Sequence, residues 1–434
     1  MTVSNALNRR RRGASRESVP GRNILYAQSG GVTATINASA CGLIEAARRV
    51  HPAGRVFAAR NGILGVLRED LIDTTGESNA AIRALRHTPG GAFGSCRFDL
   101  SPLPAGRPQF ERIAAVFRAH DIGHFFYNGG NGSAETAHLI AKELPRLGWP
   151  VTAIAIPKTI DNDIVDSDSS PGFGSAAKFA ATALREAMAD LASMADSSTK
   201  VFIMEVMGRD NGWIAAACGL AGDAGTPLIL LVPEITFDRR RFLDAVSQQV
   251  KRHGWCAVAV AEGLRMANGR RLTQAGGDGI AAHDQLGGVA PVLAAMVRRR
   301  LKLKTHWSVL DYVQRSARHL ASQTDVEQAY AVAGAALEYA LSGLSDVMPC
   351  IVRRSDSPYR WETRPVALGK LMNRARALPR RYLSADGFRL TPAGRRYFLP
   401  LIAGEAFPPF ANGLPVHAQL KMSVVPRRLP AWSL

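Results

Sequence analysis

Long apolar runs are missing from this chain. No uninterrupted stretch reaches the roughly 18 residues that a membrane-crossing helix needs, so no membrane span is expected. Cysteine is scarce: Cys41, Cys96, Cys218, Cys256 and Cys350 lie scattered, without paired or metal-like spacing. That argues against a disulfide framework and for reduced thiols, mostly in the core, of a cytoplasmic protein. Arg9 to Arg12 have no apolar core behind them, so a secretory signal is not expected. Acidic residues are also few. Asp and Glu number 36 against 54 Lys and Arg, a formal net charge of +18.

An excess of that size invites a nucleic-acid partner, but part of it is local. Residues 1–22 hold Arg9, Arg10, Arg11, Arg12, Arg16 and Arg22 against a single acid, Glu17, and lack apolar periodicity, so this segment is expected to be disordered. The remaining excess falls in runs such as Arg239-Arg240-Arg241 and Arg298-Arg299-Arg300-Leu301-Lys302, on segments that read as helices with solvated faces. No aromatic-rich basic stripe accompanies them, and no nucleic-acid partner is expected. A positive field would equally gather polyanionic phosphates.

With 434 residues, 47% of them hydrophobic, the chain can build two to three globular units with a sizeable core. Strand-like and helix-like segments alternate through its body. Residues 23–28 read as a strand, followed by Gly30-Gly31 and a helical pattern over 34–49. The unit recurs as a strand at 124–128, the loop Gly129-Gly130-Asn131-Gly132-Ser133 and a helix over 134–144. Strands follow at 151–156, 200–206, 228–233 and 257–261, with helices over 175–194, 211–221 and 239–252. This alternation predicts an α/β fold with parallel, right-handed βαβ layering.

In such folds ligands sit beyond the carboxyl ends of the strands, where the loops above emerge. Glycine lets backbone N–H groups approach an oxyanion, and the helix that follows turns its positive dipole end toward the charge. The most informative loop is Pro157-Lys158-Thr159-Ile160-Asp161-Asn162-Asp163. One of its carboxylates can take a proton from an attacking hydroxyl while the other helps to hold a divalent cation, and the lysine and threonine can reach phosphate oxygens. A lone D-N-D is commonly just an Asx-rich turn. Two such glycine loops, followed by this acidic loop on a third strand, make a polyphosphate site the better reading. Met207-Gly208-Arg209 leaves another strand with an arginine suited to charge on a transferring phosphoryl group. Glu262-Gly263 leaves a further one, with a carboxylate able to accept from sugar hydroxyls.

Taken together, these segments resemble the phosphofructokinase family from about residue 23 to the C-terminal region. The resemblance rests on Gly30-Gly31 with Asn37, Gly94-Ser95-Cys96-Arg97-Phe98, the 129–133 loop, Pro157 to Asp163, Gly172-Phe173-Gly174-Ser175-Ala176, Met207-Gly208-Arg209, Glu262-Gly263 and Gln314-Arg315, in family order. It implies two similar Rossmann-like βαβ-layered domains around a central cleft. The boundaries expected are 23–165 for a donor-binding unit and 166–345 for a sugar-phosphate-binding unit, with 346–434 packing on both. It also implies a homo-oligomer, dimer or tetramer, with Mg²⁺ as cofactor.

The resemblance further implies roles for individual residues. Asp161 becomes the general base for the 1-hydroxyl of fructose 6-phosphate, Thr159 helps to orient it, and Asp163 with Asn131 serves the metal. Gly30, Gly31, Arg97, Asn131, Gly132, Ser133 and Lys158 would contact the donor. Met207, Gly208, Arg209, Glu262, Tyr312 and Arg315 would form the sugar-phosphate pocket. Lys200 would serve the 6-phosphate, a residue often donated across a subunit interface. His306 stands where the family usually carries Arg or Lys.

The donor signature is mixed. Lys158 is the residue of the diphosphate-using branch, where it binds diphosphate and fills space that a nucleotide would need. Gly132 is that of the ATP-using branch and carries no blocking carboxylate. Lys158, together with Tyr382 to Phe388, Arg395-Arg396-Tyr397 and Gly413-Leu414-Pro415 in the tail, favours diphosphate as donor. An ATP-dependent enzyme and a weakly active sugar-phosphate-binding paralogue remain open alternatives.

Overall fold

The computed structural model describes residues 22–433 except 53, 102 and 274–286. The expectation of disorder for the arginine-rich N-terminus therefore lies almost wholly outside the described residues. Among the described residues, eleven strands build the two main sheets, and Phe410–Ala411 pairs with Leu414–Pro415 in a small antiparallel hairpin. Strands β1 (Asn23–Gln28), β2 (Val56–Ala59), β3 (Leu71–Asp73), β4 (Ile122–Gly129) and β5 (Thr152–Pro157) belong to the first. Strands β6 (Val201–Val206), β7 (Leu228–Leu231), β8 (Cys256–Ala261) and β9 (Thr305–Val309) form the second, and β10 (Val347–Asp356) and β11 (Tyr359–Ala367) return to the first.

The first sheet runs β11-β10-β5-β4-β1-β2-β3 and the second β7-β8-β6-β9. Strands β2, β1, β4 and β5 are mutually parallel, as are all four strands of the second sheet. In the first sheet β3 and β11, at opposite edges, run antiparallel to their neighbours. Every residue of β4 is buried, as a central parallel strand covered on both faces requires.

Each sheet is clothed on both sides. On one face of the first, Ile24, Tyr26 and Phe126 pack with Leu43 and Ile44 of the helix Ile36–Val50 and with Val332, Ala333 and Ala336 of the helix Gln323–Leu341. On the other, Leu25, Phe125 and Tyr127 meet Phe117 of the helix Arg107–Ala119 and Ala137 and Ile140 of the helix Asn131–Arg146. The second sheet is covered by the helix Phe173–Met194 and the short helix Trp213–Ala217 on one side. The helices Arg239–His253 and Val289–Leu301 cover the other. Burying one large apolar side chain in such a core is worth about 1.5–3 kcal/mol, so these layers, rather than helix propensity, hold the elements in place.

The helix Gln323–Leu341 falls inside the 166–345 unit expected from sequence, yet it packs on the first sheet. The segment after it serves both halves. Strands β10 and β11 extend the first sheet beside β5. Leu378, Tyr382, Tyr397 and Phe398 enter the core of the second half around Trp213. Val425, Leu429 and Trp432 pack back on the first half.

Candidate active site

The loops leaving the carboxyl ends of β1, β4 and β5 meet those leaving β6 and β8. The β1 turn is left-handed at Gly30, with φ 71°. It is pinned to the Arg97 loop, because Gly30 N–H donates to the Cys96 carbonyl at 2.9 Å and Ser95 Oγ donates to the Gly30 carbonyl at 2.7 Å. At Gly31 a Cβ would lie 2.6 Å from Arg315 Nη1 and 3.2 Å from Arg97 Nη2. Glycine is needed there so that two guanidinium groups can close on the turn.

A third cation completes the cluster. Lys158, buried at the end of β5, donates from Nζ to the Gly31 carbonyl at 2.6 Å. Burial and the charges of Arg97 and Arg315 bring its ammonium down to about 7 against the pull of Asp161 and Asp163. Three cations facing one glycine turn constitute a place for a multiply charged anion, whose arrival would restore the full charge on Lys158.

Past Lys158 the chain enters the two-carboxylate turn. Thr159 N–H is held by the Pro171 carbonyl at 3.1 Å, and Asp161 N–H donates to Thr159 Oγ1 at 3.1 Å. Asn162 is left-handed at φ 54° and fully buried; its Oδ1 accepts Ser170 N–H at 3.0 Å and its Nδ2 donates to Tyr397 Oη at 3.1 Å. Fixing this middle residue turns its neighbours Asp161 and Asp163 to the cleft, where both remain half-buried. Burial raises the Asp161 carboxyl, opposed by Lys158. Burial and the neighbouring Asp161 charge raise Asp163 to about 7.

Asp163 Oδ2 accepts Asn131 Nδ2 at 3.1 Å from the first turn of the helix Asn131–Arg146, and Asn131 Oδ1 is buried without a partner among the described residues. That helix has no side-chain cap at its N-terminus, so its first N–H groups are available to an anion. Ser133 lies buried against Gly129, and Gly132 is exposed.

The second sheet supplies the opposite wall. Met207 N–H is held by Gln314 Oε1 at 3.1 Å, and Gly208 N–H donates to Glu262 Oε1 at 3.4 Å. A Cβ at Gly263 would sit 1.8 Å from the Arg209 carbonyl, so the β6 and β8 loops touch only because residue 263 has no side chain. Burial and the charges of Asp161 and Glu205 raise Glu262 to about 7, while Arg209 lowers it. Asp210 anchors the Arg209 loop through Arg265 at 2.6 Å and Arg271 at 3.0 Å. Glu205, Met207 and Glu262 line a cavity of about 370 Å³ with Asp311 and Gly288.

Lys200, His306 and Tyr312 stand apart from this cavity. Lys200 sits just before β6, at the amino end of the strand, and its ammonium donates to the carbonyls of Ala195 and Asp196. Seven residues of extended chain place it about 20 Å from Met207. His306 pairs with Phe202 near the same end and is exposed. Tyr312 is 64% exposed, and its ring carries the Arg315 guanidinium at 3.8 Å from the centroid. It props the arginine instead of lining the cavity.

Sequence reasoning quoted Asn162 and Gln314 without giving them a role, and passed over Asp325 and Arg376. Arg376 N–H donates to the Asp163 carbonyl at 2.7 Å, and its side chain donates to the carbonyls of Asn162 at 3.2 Å and Asp168 at 2.7 Å. Nothing local marks an arginine more than 200 positions away as the brace of this turn. Gln314 was in view in the quoted Gln314-Arg315 pair, but its bond to the Met207 N–H depends on tertiary packing.

The phosphofructokinase family model matches residues 23–339. The chain is 55% identical over 413 residues, 94% of this chain and 98% of the relative, to a protein of Methylococcus capsulatus named pyrophosphate–fructose 6-phosphate 1-phosphotransferase. A protein of the same name from Xanthomonas campestris is 54% identical, with 94% and 99% covered. Among solved structures, a pyrophosphate-dependent phosphofructokinase from Nitrosospira multiformis superposes with a TM-score of 0.88 at 50% identity, covering 95% of this chain and all of that one.

Proposed function

Because the chain belongs to the phosphofructokinase family, we propose that it moves a phosphoryl group between diphosphate and the 1-hydroxyl of fructose 6-phosphate, giving fructose 1,6-bisphosphate and orthophosphate. The observation that carries this reading is the closure of Lys158, Arg97 and Arg315 on the Gly30-Gly31 turn, directly beside Asp161. The cluster suits a compact, highly charged donor with no need of a base or ribose.

In this reading Asp161 takes the hydroxyl proton as the oxygen attacks, and Thr159 Oγ1, fixed on the Asp161 N–H, orients the carboxylate. Arg209 faces the charge that builds up during transfer, and Glu262 accepts from sugar hydroxyls. Lys158 and Arg97, with the free N–H groups at Asn131 to Ser133, hold the leaving phosphate. Lys200 and His306, far from the cleft of their own chain, would reach sugar phosphate only across an interface of a homo-oligomer.

A divalent ion fits the site. Asp163 and the unpartnered Asn131 Oδ1 are two oxygens on facing loops, and no group of three acidic, His or Cys side chains among the described residues could hold an ion alone. Few protein ligands completed by substrate phosphates is the usual arrangement for Mg²⁺. When bound, Mg²⁺ would neutralise phosphate charge. Residence in the cytoplasm is consistent with five unpaired cysteines and with the absence, among the described residues, of a helix long and apolar enough to cross a membrane.

The test is a coupled assay of the purified protein with fructose 6-phosphate, Mg²⁺ and either diphosphate or ATP, run also in reverse from fructose 1,6-bisphosphate and orthophosphate. Turnover with diphosphate in both directions is expected. Turnover with ATP alone would overturn the reading.

A further inference from the structure

The three-cation cluster borders an exposed surface at the start of the helix Asn131–Arg146. Lys158 walls the donor pocket from the end of β5, its Nζ 2.6 Å from the Gly31 carbonyl and 3.4 Å from where a Cβ at Gly30 would stand. Arg97 and Arg315 close it over Gly31. Toward Gly132 the surface is exposed, which leaves room there for a donor longer than diphosphate to extend. A side chain at position 132 would meet a single group within 4 Å of its Cβ, Asp99 Oδ1 at 3.6 Å.

Asp99 follows Arg97 by two residues, on the loop already pinned to the Gly30 turn. It makes no side-chain hydrogen bond or ion pair with another described residue and is exposed. The helix Asn131–Arg146 carries no acid in its own first turn; Asp163 meets that turn at Asn131, and Asp99 stands beside it at Gly132. Its position there is electrostatically favourable without any partner, because it faces the positive end of the helix.

We propose that Asp99 is a donor-specificity residue: its carboxylate fills the space left by the absent side chain at position 132 and repels the inner phosphates of a nucleotide, while diphosphate ends short of it. The inference rests on the diphosphate reading above. Lys158 selects for the two phosphates that fit, and Asp99 acts against the third group that does not. The mixed appearance of Lys158 with Gly132 is then resolved in space, with the carboxylate displaced from one loop to its neighbour.

The experiment compares kcat/KM for diphosphate and for ATP in the wild type, in Asp99→Asn, and in Asp99→Asn combined with Gly132→Asp. Inhibition by a non-hydrolysable ATP analogue against diphosphate is measured in each. Removing one charge a few ångströms from a phosphate should raise the ATP-to-diphosphate ratio about tenfold or more and lower the analogue's inhibition constant in parallel. Gly132→Asp should bring both back toward wild type. A ratio unchanged by Asp99→Asn, or a rise that Gly132→Asp leaves in place, would overturn the assignment while sparing the diphosphate reading. A wild type that turns over ATP but not diphosphate would overturn both.

Discussion

Lys158 Nζ reaches across from the end of β5 to the Gly31 carbonyl at the end of β1, 2.6 Å away, and so closes the pocket from within. Burial and two nearby guanidinium groups bring this ammonium down to about 7, so an arriving anion favours its charged form. The same side chain therefore both recruits diphosphate and occupies volume. Lys158→Gly should weaken diphosphate use and raise the ATP-to-diphosphate ratio of kcat/KM about tenfold or more, measured with both donors in one preparation. An unmoved ratio would place the discrimination elsewhere.

Asp161 stands at the cleft with its backbone tied to Thr159 and its carboxyl raised by burial. Asp161→Asn preserves size and the backbone bond while removing the proton acceptor. It should cut kcat by about a hundredfold or more with little change in fructose 6-phosphate binding, checked by calorimetry alongside the rate. Near-normal turnover would remove Asp161 from the role of base.

Asp325 couples the two halves of the molecule. It lies in the first turn of the helix Gln323–Leu341, which packs on the first sheet, and accepts from Gly172 N–H at 2.8 Å and Ser175 N–H at 3.0 Å. Ser175 Oγ donates to it at 2.5 Å. These donors open the helix Phe173–Met194, and Gly172 bridges to Thr159 of the catalytic turn. Asp325→Ala should cost about 1–3 kcal/mol in chemical denaturation by stranding buried donors, and should lower kcat as well. A loss of stability without any loss of rate would show that the brace does not reach the turn.

Glu69 holds the C-terminal tail to the first half. Its buried carboxylate accepts Arg428 N–H at 2.6 Å, Leu429 N–H at 3.1 Å and His120 Nε2 at 2.6 Å. Burial pushes the group up, but these bonds more than offset it and hold it below its ordinary 4.5. A carboxylate depressed on folding contributes stability that is present above pH 4.5 and lost as pH falls through the lower folded value. Glu69→Gln, which turns an amide donor toward other donors, should lower the urea midpoint clearly at pH 7 and progressively less below pH 4.5. An equal loss at both pH values would show that the charge contributes nothing.

What could be learned from sequence alone was what short stretches encode. The strand Asn23–Gln28 was delimited to the residue, and the helix Phe173–Met194 to within two, because apolar periodicity and flanking glycines act over a few residues. The loops that carry Gly30, Gly132, Lys158, Asp161, Arg209 and Glu262 were legible for the same reason, each following an apolar run that had to be a buried strand. Tertiary structure decided everything that spans long separations. Strand β10 joins β5 through the Val347 and Ile154 pairing, and Arg376 braces a turn two hundred residues earlier. The helix Gln323–Leu341 crosses to the first sheet, and Asp99 comes to face Gly132. Lys200 shows the reverse: close to Met207 along the chain, it stands a full strand length from the cleft. Local pattern says which face of an element is buried and where it ends. Which distant group then fills the space beside it depends on how the layers pack, and that information is spread over the whole chain.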